Sequence, residues 1–121
     1  MDLETKYFDN FIILENDGRK ILESKIELHN ININVRIILS KNIVANFEIN
    51  QCIIIINNFL KMFEGEKILS LTMEEFIEGI DFSNIVMDYK NKKTILIINY
   101  NGAEIEFEFK RLFSICVAKQ K

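Results

Sequence analysis

The chain has 121 residues, 49% of them hydrophobic and 10 of them Phe, which suits a single domain over residues 1–121 and excludes a disordered chain. With 15 basic and 18 acidic residues the formal net charge is -3, which excludes a generic polyanion binder because such proteins need a basic surface. The two cysteines do not form a disulfide framework at this length, and the acidic start at Asp2 and Glu4 is unlike a secretory signal. We therefore expect a soluble, cytoplasmic protein.

The first predicted element is a β-hairpin. The apolar run from Phe11 to Leu14 is followed by Asp17-Gly18, and residues 20–28 form the second arm. Asp-Gly tolerates the positive φ angles of a two-residue hairpin turn, so these residues predict two antiparallel strands.

A second hairpin is predicted over residues 31–49. Apolar side chains occupy every second position from Ile31 to Leu39, the period of a half-buried strand. The apolar phase changes at His29-Asn30, which predicts a bulge or turn there. After a predicted turn at residues 40–42, the alternation resumes from Ile43 to Ile49.

The main helix is predicted over about residues 50–64. Asn50 is a candidate N-cap, and Gly65 lies where a left-handed C-terminal cap is needed. Between them one helical stripe is apolar: Cys52, Ile56, Phe59, Leu60 and Phe63.

A short second helix over about residues 73–79 is also predicted. Thr72 to Glu75 matches a capping box, with Leu71 and Phe76 as the accompanying apolar pair. The alternative makes residues 67–72 a strand and the following acidic stretch a loop.

The C-terminal third predicts strands at Ile85–Tyr89, Thr94–Tyr100 and Ala103–Phe109. Asn101-Gly102 is a strong two-residue turn signal, and it pairs apolar residues with apolar residues across the last hairpin. Residues 110–121 suit an edge strand or a short helix equally. The fold class is therefore α+β, a mostly antiparallel sheet of hairpins packed against one main helix.

The chain has little material for catalysis. His29 is its single histidine and lies at a predicted turn, so a structural or surface role is expected. Cys52 and Cys116 are predicted to be small buried hydrophobes. No metal-ligand spacing and no phosphate-binding glycine loop is present, so we predict no catalytic residue, no metal site and no cofactor. The chain is predicted not to be an enzyme, with a small carboxylate-dependent hydrolase as the least favoured alternative.

One set of side chains indicates a binding surface. Opposite the apolar side of the last hairpin, strand spacing aligns three glutamates about 6.5–7 Å apart, beside two isoleucines. We name Glu104, Glu106 and Glu108 the glutamate ladder. Acids can steer a basic protein partner while the isoleucines supply apolar contact area. An ordinary solvated face, with the isoleucines covered by another element, is the alternative. The predicted partner-binding residues are Glu104, Glu106, Glu108, Ile95, Ile97, Glu74, Glu75 and Glu78.

The order of elements resembles that of WapI-type immunity proteins, which neutralise the toxic domain of bacterial contact or polymorphic toxins. The resemblance covers about residues 31–109 and rests on Val35–Leu39, Ala45–Ile49, the helix to Phe63, and Leu60 to Glu66 followed by residues 67–69. The segment 72–83 and the basic tail depart from the family pattern. The resemblance implies a binding protein with no catalytic residues.

These observations predict a non-enzymatic protein-binding module, an inhibitor or immunity protein that neutralises a basic, nucleic-acid-acting partner such as a toxin or nuclease through an acidic sheet face. The alternative is a self-associating structural or regulatory protein of a phage or mobile element. The sequence disfavours membrane association and direct nucleic-acid binding, and it leaves a homo-oligomer open.

Overall fold

The computed structural model describes residues 7–40, 46–64 and 81–112. Several predictions lie wholly or largely outside these residues: the turn at 40–42, the helix cap at Gly65, the short helix at 73–79 with its alternative strand at 67–72, and the segment 110–121 beyond residue 112. Within them the chain forms six strands and one helix: β1 Ile12–Asn16, β2 Arg19–Leu28, β3 Ile31–Ile38, α1 Asn46–Glu64, β4 Asp81–Asp88, β5 Lys93–Tyr100 and β6 Ala103–Phe109.

The six strands form one antiparallel sheet in the order β1-β2-β3-β6-β5-β4, and α1 packs against one side of it. The N-terminal strands and the C-terminal strands therefore meet in the middle, where β3 pairs with β6. This arrangement confirms the predicted α+β class, a sheet of hairpins packed against one main helix.

Three two-residue turns set the register of the hairpins. Asp17-Gly18, His29-Asn30 and Asn101-Gly102 all have positive φ at both residues, between 49° and 87°. Such turns match the twist of antiparallel strands, and Gly or Asn adopts these angles with little strain. The predicted turns at all three places are confirmed.

The core lies between α1 and the inner face of the sheet, the face that α1 covers. The five residues of the predicted apolar stripe are all buried: Cys52, Ile56, Phe59, Leu60 and Phe63. The Phe59 ring contacts the ring of Phe107 on β6, with 4.2 Å between the ring centres. A helical stripe on α1 thus packs on the apolar side of the central strands.

The predicted hairpin over residues 31–49 is wrong, because α1 begins at Asn46. Phe47 and Ile49 belong to the helix, and the second neighbour of β3 is β6. Asn50 is therefore inside the helix and is not its N-cap. The pattern was ambiguous because Ile49 also continues the helical stripe that contains Cys52, and Ile49 packs against the core.

The segment before β1 is attached to α1 by one side chain. Oδ1 of Asn57 accepts the backbone N–H groups of Tyr7 and Phe8, at 2.6 and 2.9 Å. Nδ2 of Asn57 donates to the carbonyl of Ile53 at 3.0 Å, and the Phe8 side chain is fully buried. No sequence pattern indicates this contact.

Candidate functional site

The glutamate ladder lies on the outer face of the sheet, the face away from α1, in the predicted register. Glu108 is opposite Ile95, Glu106 opposite Ile97, and Glu104 opposite Asn99. However, β6 is a central strand with a second neighbour. On that side β3 places Asn34, Arg36 and Ile38 opposite the same three glutamates.

Arg36 is the centre of an ion-pair network on this face. Its Nε donates to Glu23 Oε2 at 2.8 Å, and its Nη1 donates to Glu106 Oε1 at 3.2 Å. The same Nη1 is 3.4 Å from Oε1 of Glu108. One guanidinium on β3 therefore links carboxylates from β2 and β6, as its planar set of donors allows.

Glu108 is the most enclosed of the three ladder carboxylates. It is only 4% exposed, and its Oε2 accepts from Nζ of Lys93 at 2.8 Å and from Nζ of Lys110 at 3.3 Å. Burial pushes the pKa of Glu108 upward, but the bonds and charges of the two lysines outweigh burial and leave this pKa below its ordinary value. Glu108 is therefore ionised and neutralised by its own chain at neutral pH.

The pKa of Glu23 on β2 is set by the same two opposing effects, burial and neighbouring hydrogen bonds and charges. Burial pushes its pKa upward, but the hydrogen bonds from Arg36 and Asn34 and the charge of Arg36 outweigh it, so the pKa is lowered. Nδ2 of Asn34 donates to Glu23 Oε2 at 3.2 Å. Arg36 thus fixes an ionised carboxylate on each side of β3.

Glu104, at the other end of the ladder, has a different environment. Within residues 7–40, 46–64 and 81–112, no cation lies within ion-pair distance of its carboxylate. Burial raises its pKa, and repulsion by Glu106 adds to the rise, with only partial compensation from Arg19. Ile38 is directly opposite Glu104 on β3. Glu104 is thus a half-buried carboxylate beside an apolar side chain.

The outer face as a whole is of mixed charge. Glu106 and Glu108 have counter-ions from neighbouring strands, because Arg36 on β3 contacts both carboxylates and Lys93 on β5 contacts Glu108. The register places acids and bases side by side across this face: Glu23, Glu27, Asp88, Glu104, Glu106 and Glu108 beside Arg19, Lys25, Arg36, Lys93 and Lys110.

The polar positions of β3 were the available signal for this network. Arg36 alternates with buried apolar residues, so its side chain had to point to the outer face. What the sequence did not show was that β6 would be its neighbour.

Two isoleucines on β5, opposite the glutamate ladder, form an apolar area beside the network. Ile95 and Ile97 are partly exposed, and Val86, opposite Ile95 on β4, is 42% exposed. The structure thus brings together five of the eight predicted partner-binding residues. The other three, Glu74, Glu75 and Glu78, lie outside the described residues.

His29 has a structural position. It lies in the β2–β3 turn, where its Nε2–H donates to the carbonyl of Glu64 at 2.6 Å and its ring contacts the edge of Phe63. It therefore satisfies a carbonyl in the last turn of α1. Cys52 is completely buried in the core, as predicted, and Cys116 lies outside the described residues.

A shallow hollow opens beside the network on the outer face, with a volume of about 530 Å³. Among the residues that line it are Lys25, Glu27, Asn32 and Lys110.

In the part of the chain that the structure describes, no group of three or more His, Cys, Asp or Glu side chains is placed to hold a metal ion. The same residues contain no helix of the length and apolarity required to span a membrane.

Comparison of the chain with protein-family models, with curated proteins and with solved structures finds no match.

Proposed function

We propose that this chain is a cytoplasmic, non-enzymatic protein-binding module of the inhibitor or immunity type, and that its partner contacts the outer face of the sheet around Glu104. The proposal rests mainly on one observation: Glu104 is half-buried and its pKa is raised, while the other ladder glutamates have counter-ions within the chain. A carboxylate in this state gains most from a cation that another molecule brings.

The neighbours of Glu104 favour a protein as the source of that cation. Ile38 is opposite Glu104, and Ile97 is diagonal to it on β5. Both side chains are partly exposed. A lysine or arginine of the partner would reach Glu104 while apolar groups around it cover the isoleucines, which is the usual composition of a protein interface.

The ion-pair network supports this role by holding the face rigid. Arg36 ties Glu23, Glu106 and Glu108 to each other across three strands. Side chains already fixed by ion pairs lose little freedom when a partner binds, so the entropic cost of association is reduced. A basic, nucleic-acid-acting protein suits Glu104, and the resemblance to WapI-type immunity proteins favours a toxin as the partner.

The experiment compares two matched glutamine variants. The tagged chain is used to capture its partner from the native host, and the partner is then purified and titrated with the wild type, Glu104→Gln and Glu27→Gln. Glu27 lies on the same outer face and is exposed. We expect Glu104→Gln to weaken binding about tenfold, equivalent to about 1.4 kcal/mol, and to reduce its salt dependence. Glu27→Gln should bind as the wild type does.

A folding defect would not explain that loss, because Glu104→Gln should be at least as stable as the wild type at pH 7. The folded-state pKa of Glu104 is raised, so the ionised form disfavours the folded state at pH values above that pKa. Glutamine removes this cost, and the difference in unfolding free energy should vanish as the pH falls and Glu104 takes up a proton.

Two results would contradict the proposal. Equal affinities of the Glu104→Gln variant and the wild type would show that the partner does not use Glu104. Capture of no other protein at any salt concentration would argue against a heterologous partner and favour the self-associating alternative.

A further inference from the structure

The edge strand β1 is the most exposed apolar element that the structure describes. Ile12, Ile13 and Leu14 are 57, 62 and 41% exposed, and β1 is the first strand of the sheet, with β2 as its neighbour. Side chains of consecutive residues point to opposite faces of a strand, so β1 offers apolar groups on both faces. Edge strands of monomeric proteins are usually protected by charged side chains, proline or a bulge; β1 has no proline and no bulge, and its one charged residue, Glu15, follows the apolar run.

The backbone of β1 also has hydrogen-bonding groups directed outward. The Asp17-Gly18 turn makes Asn16 and Arg19 a hydrogen-bonded pair, so Ile12, Leu14 and Asn16 direct their N–H and C=O groups to β2. The hydrogen bond from the Leu39 N–H to the Lys20 carbonyl agrees with this assignment. It shows that the even-numbered residues of β2 direct their backbone groups to β3, which leaves the odd-numbered ones for β1. Ile13 and Glu15 therefore direct their N–H and C=O groups away from the sheet.

A second copy of this chain is complementary to that edge. Two β1 strands can lie antiparallel with the two-fold axis at Ile13. The outward N–H and C=O groups of the two Ile13 residues then bond to each other, and each Ile12 lies opposite Leu14 of the second copy. The register shifted to an axis at Leu14 opposes Ile13 to Glu15 and is less favourable. We propose that β1 pairs with β1 of a second copy, extending the two sheets into one across a two-fold axis.

A two-fold pair is favoured over pairing of β1 with the other edge strand, β4. The β1–β1 contact uses the same residues of both copies and closes with two chains, whereas a β1–β4 contact would leave edges free and continue into an open polymer. In addition, β4 has an irregular register between Phe82 and Asn84, and a bulge of this kind opposes regular pairing.

The test measures mass against concentration for three chains. Sedimentation equilibrium from about 1 to 200 µM is applied to the wild type, Ile13→Lys and Ile54→Lys. Ile54 is the matched control because it is an isoleucine of similar exposure, 52%, on the helix. We expect a concentration-dependent dimer for the wild type and for Ile54→Lys. The Ile13→Lys dimer should be weakened about a hundredfold, since both copies lose an apolar side chain worth about tenfold each.

Amide hydrogen exchange locates the contact. The N–H of Leu14 is bonded to β2 and should be protected at every concentration, whereas the N–H of Ile13 should gain protection only when the dimer forms. A wild-type monomer at 200 µM, or an Ile13→Lys dimer as strong as the wild type, would overturn the proposal. So would protection of Ile13 by an extended segment of another protein with the chain itself monomeric.

This inference is independent of the proposed partner surface. Glu104→Gln should dimerise as the wild type does, because Glu104 is on β6, three strands away from β1 in the sheet. Loss of partner binding and loss of dimerisation are therefore separate outcomes of the two experiments.

Discussion

Replacing Arg36 by methionine tests whether the network on the outer face stabilises the fold. The side chain of Arg36 is 30% exposed and contacts Glu23, Glu106 and Glu108 at 2.8, 3.2 and 3.4 Å. Methionine retains most of the apolar stem but removes the charge, so Glu23 and Glu106 lose their ion pair and Glu108 retains its two lysines.

The expected cost lies between two limits. An exposed ion pair contributes roughly 0.2–1 kcal/mol, and breaking a fully buried pair costs roughly 3–5 kcal/mol. Arg36 has three partners and is mostly enclosed, yet Glu108 is not left without a cation. We therefore expect Arg36→Met to lower the free energy of unfolding at pH 7 by about 2–3 kcal/mol.

The loss of stability in Arg36→Met should depend on pH, and the pKa values of the carboxylates determine the direction. In the wild type the folded-state pKa of Glu23 lies below its ordinary value of 4.5, so its stabilising contribution is present above that value and is lost as the pH falls through the lowered one. Without Arg36, burial dominates and the Glu23 pKa rises. The difference between the two chains should therefore be largest near neutral pH and shrink below about pH 4.5.

Urea unfolding followed by circular dichroism, at pH 7 and at about pH 4, measures both effects. Lys25→Met is the control, since Lys25 is exposed on the same face and forms no ion pair within the described residues. It should change stability by less than about 0.5 kcal/mol. Equal losses for the two variants at pH 7, or an Arg36→Met loss that grows with acidity, would refute the reasoning.

Two further predictions concern the core side of α1. Asn57→Ala should lower the free energy of unfolding by about 1–3 kcal/mol and speed amide exchange at Tyr7, because the Asn57 side chain accepts hydrogen bonds from two backbone N–H groups. The control Asn58→Ala, at an exposed neighbouring position, should lower it by less than about 0.5 kcal/mol. Phe59→Ala should cost about 3–5 kcal/mol in urea unfolding, because the ring is fully buried, whereas Ile54→Ala at an exposed position should cost far less; equal losses would show that α1 does not pack as described.

Sequence and structure agree most clearly at the turns and on the helix. Asp17-Gly18 and Asn101-Gly102 specified their hairpins locally, since a two-residue turn with positive φ fixes the register of the strands beside it. The apolar stripe that includes Cys52 and Phe59 was equally local, because helical periodicity alone places those residues on one side. Alternation was insufficient at Ile49, which satisfies both the strand period and the helical stripe that contains Cys52.

By itself, then, the sequence determined the registers of the hairpins at Asp17-Gly18 and Asn101-Gly102, the buried stripe of α1 and the alignment of Glu104, Glu106 and Glu108, because each depends on residues close together in the chain. Only the tertiary structure decided that β3 lies beside β6 and brings Arg36 to two of those glutamates. The alternation of side chains in a strand does not indicate which strand about 70 residues away will pair with it. For that reason the mixed charge of the outer face, and the absence of an ion pair at Glu104 among the described residues, could be read only from the folded chain.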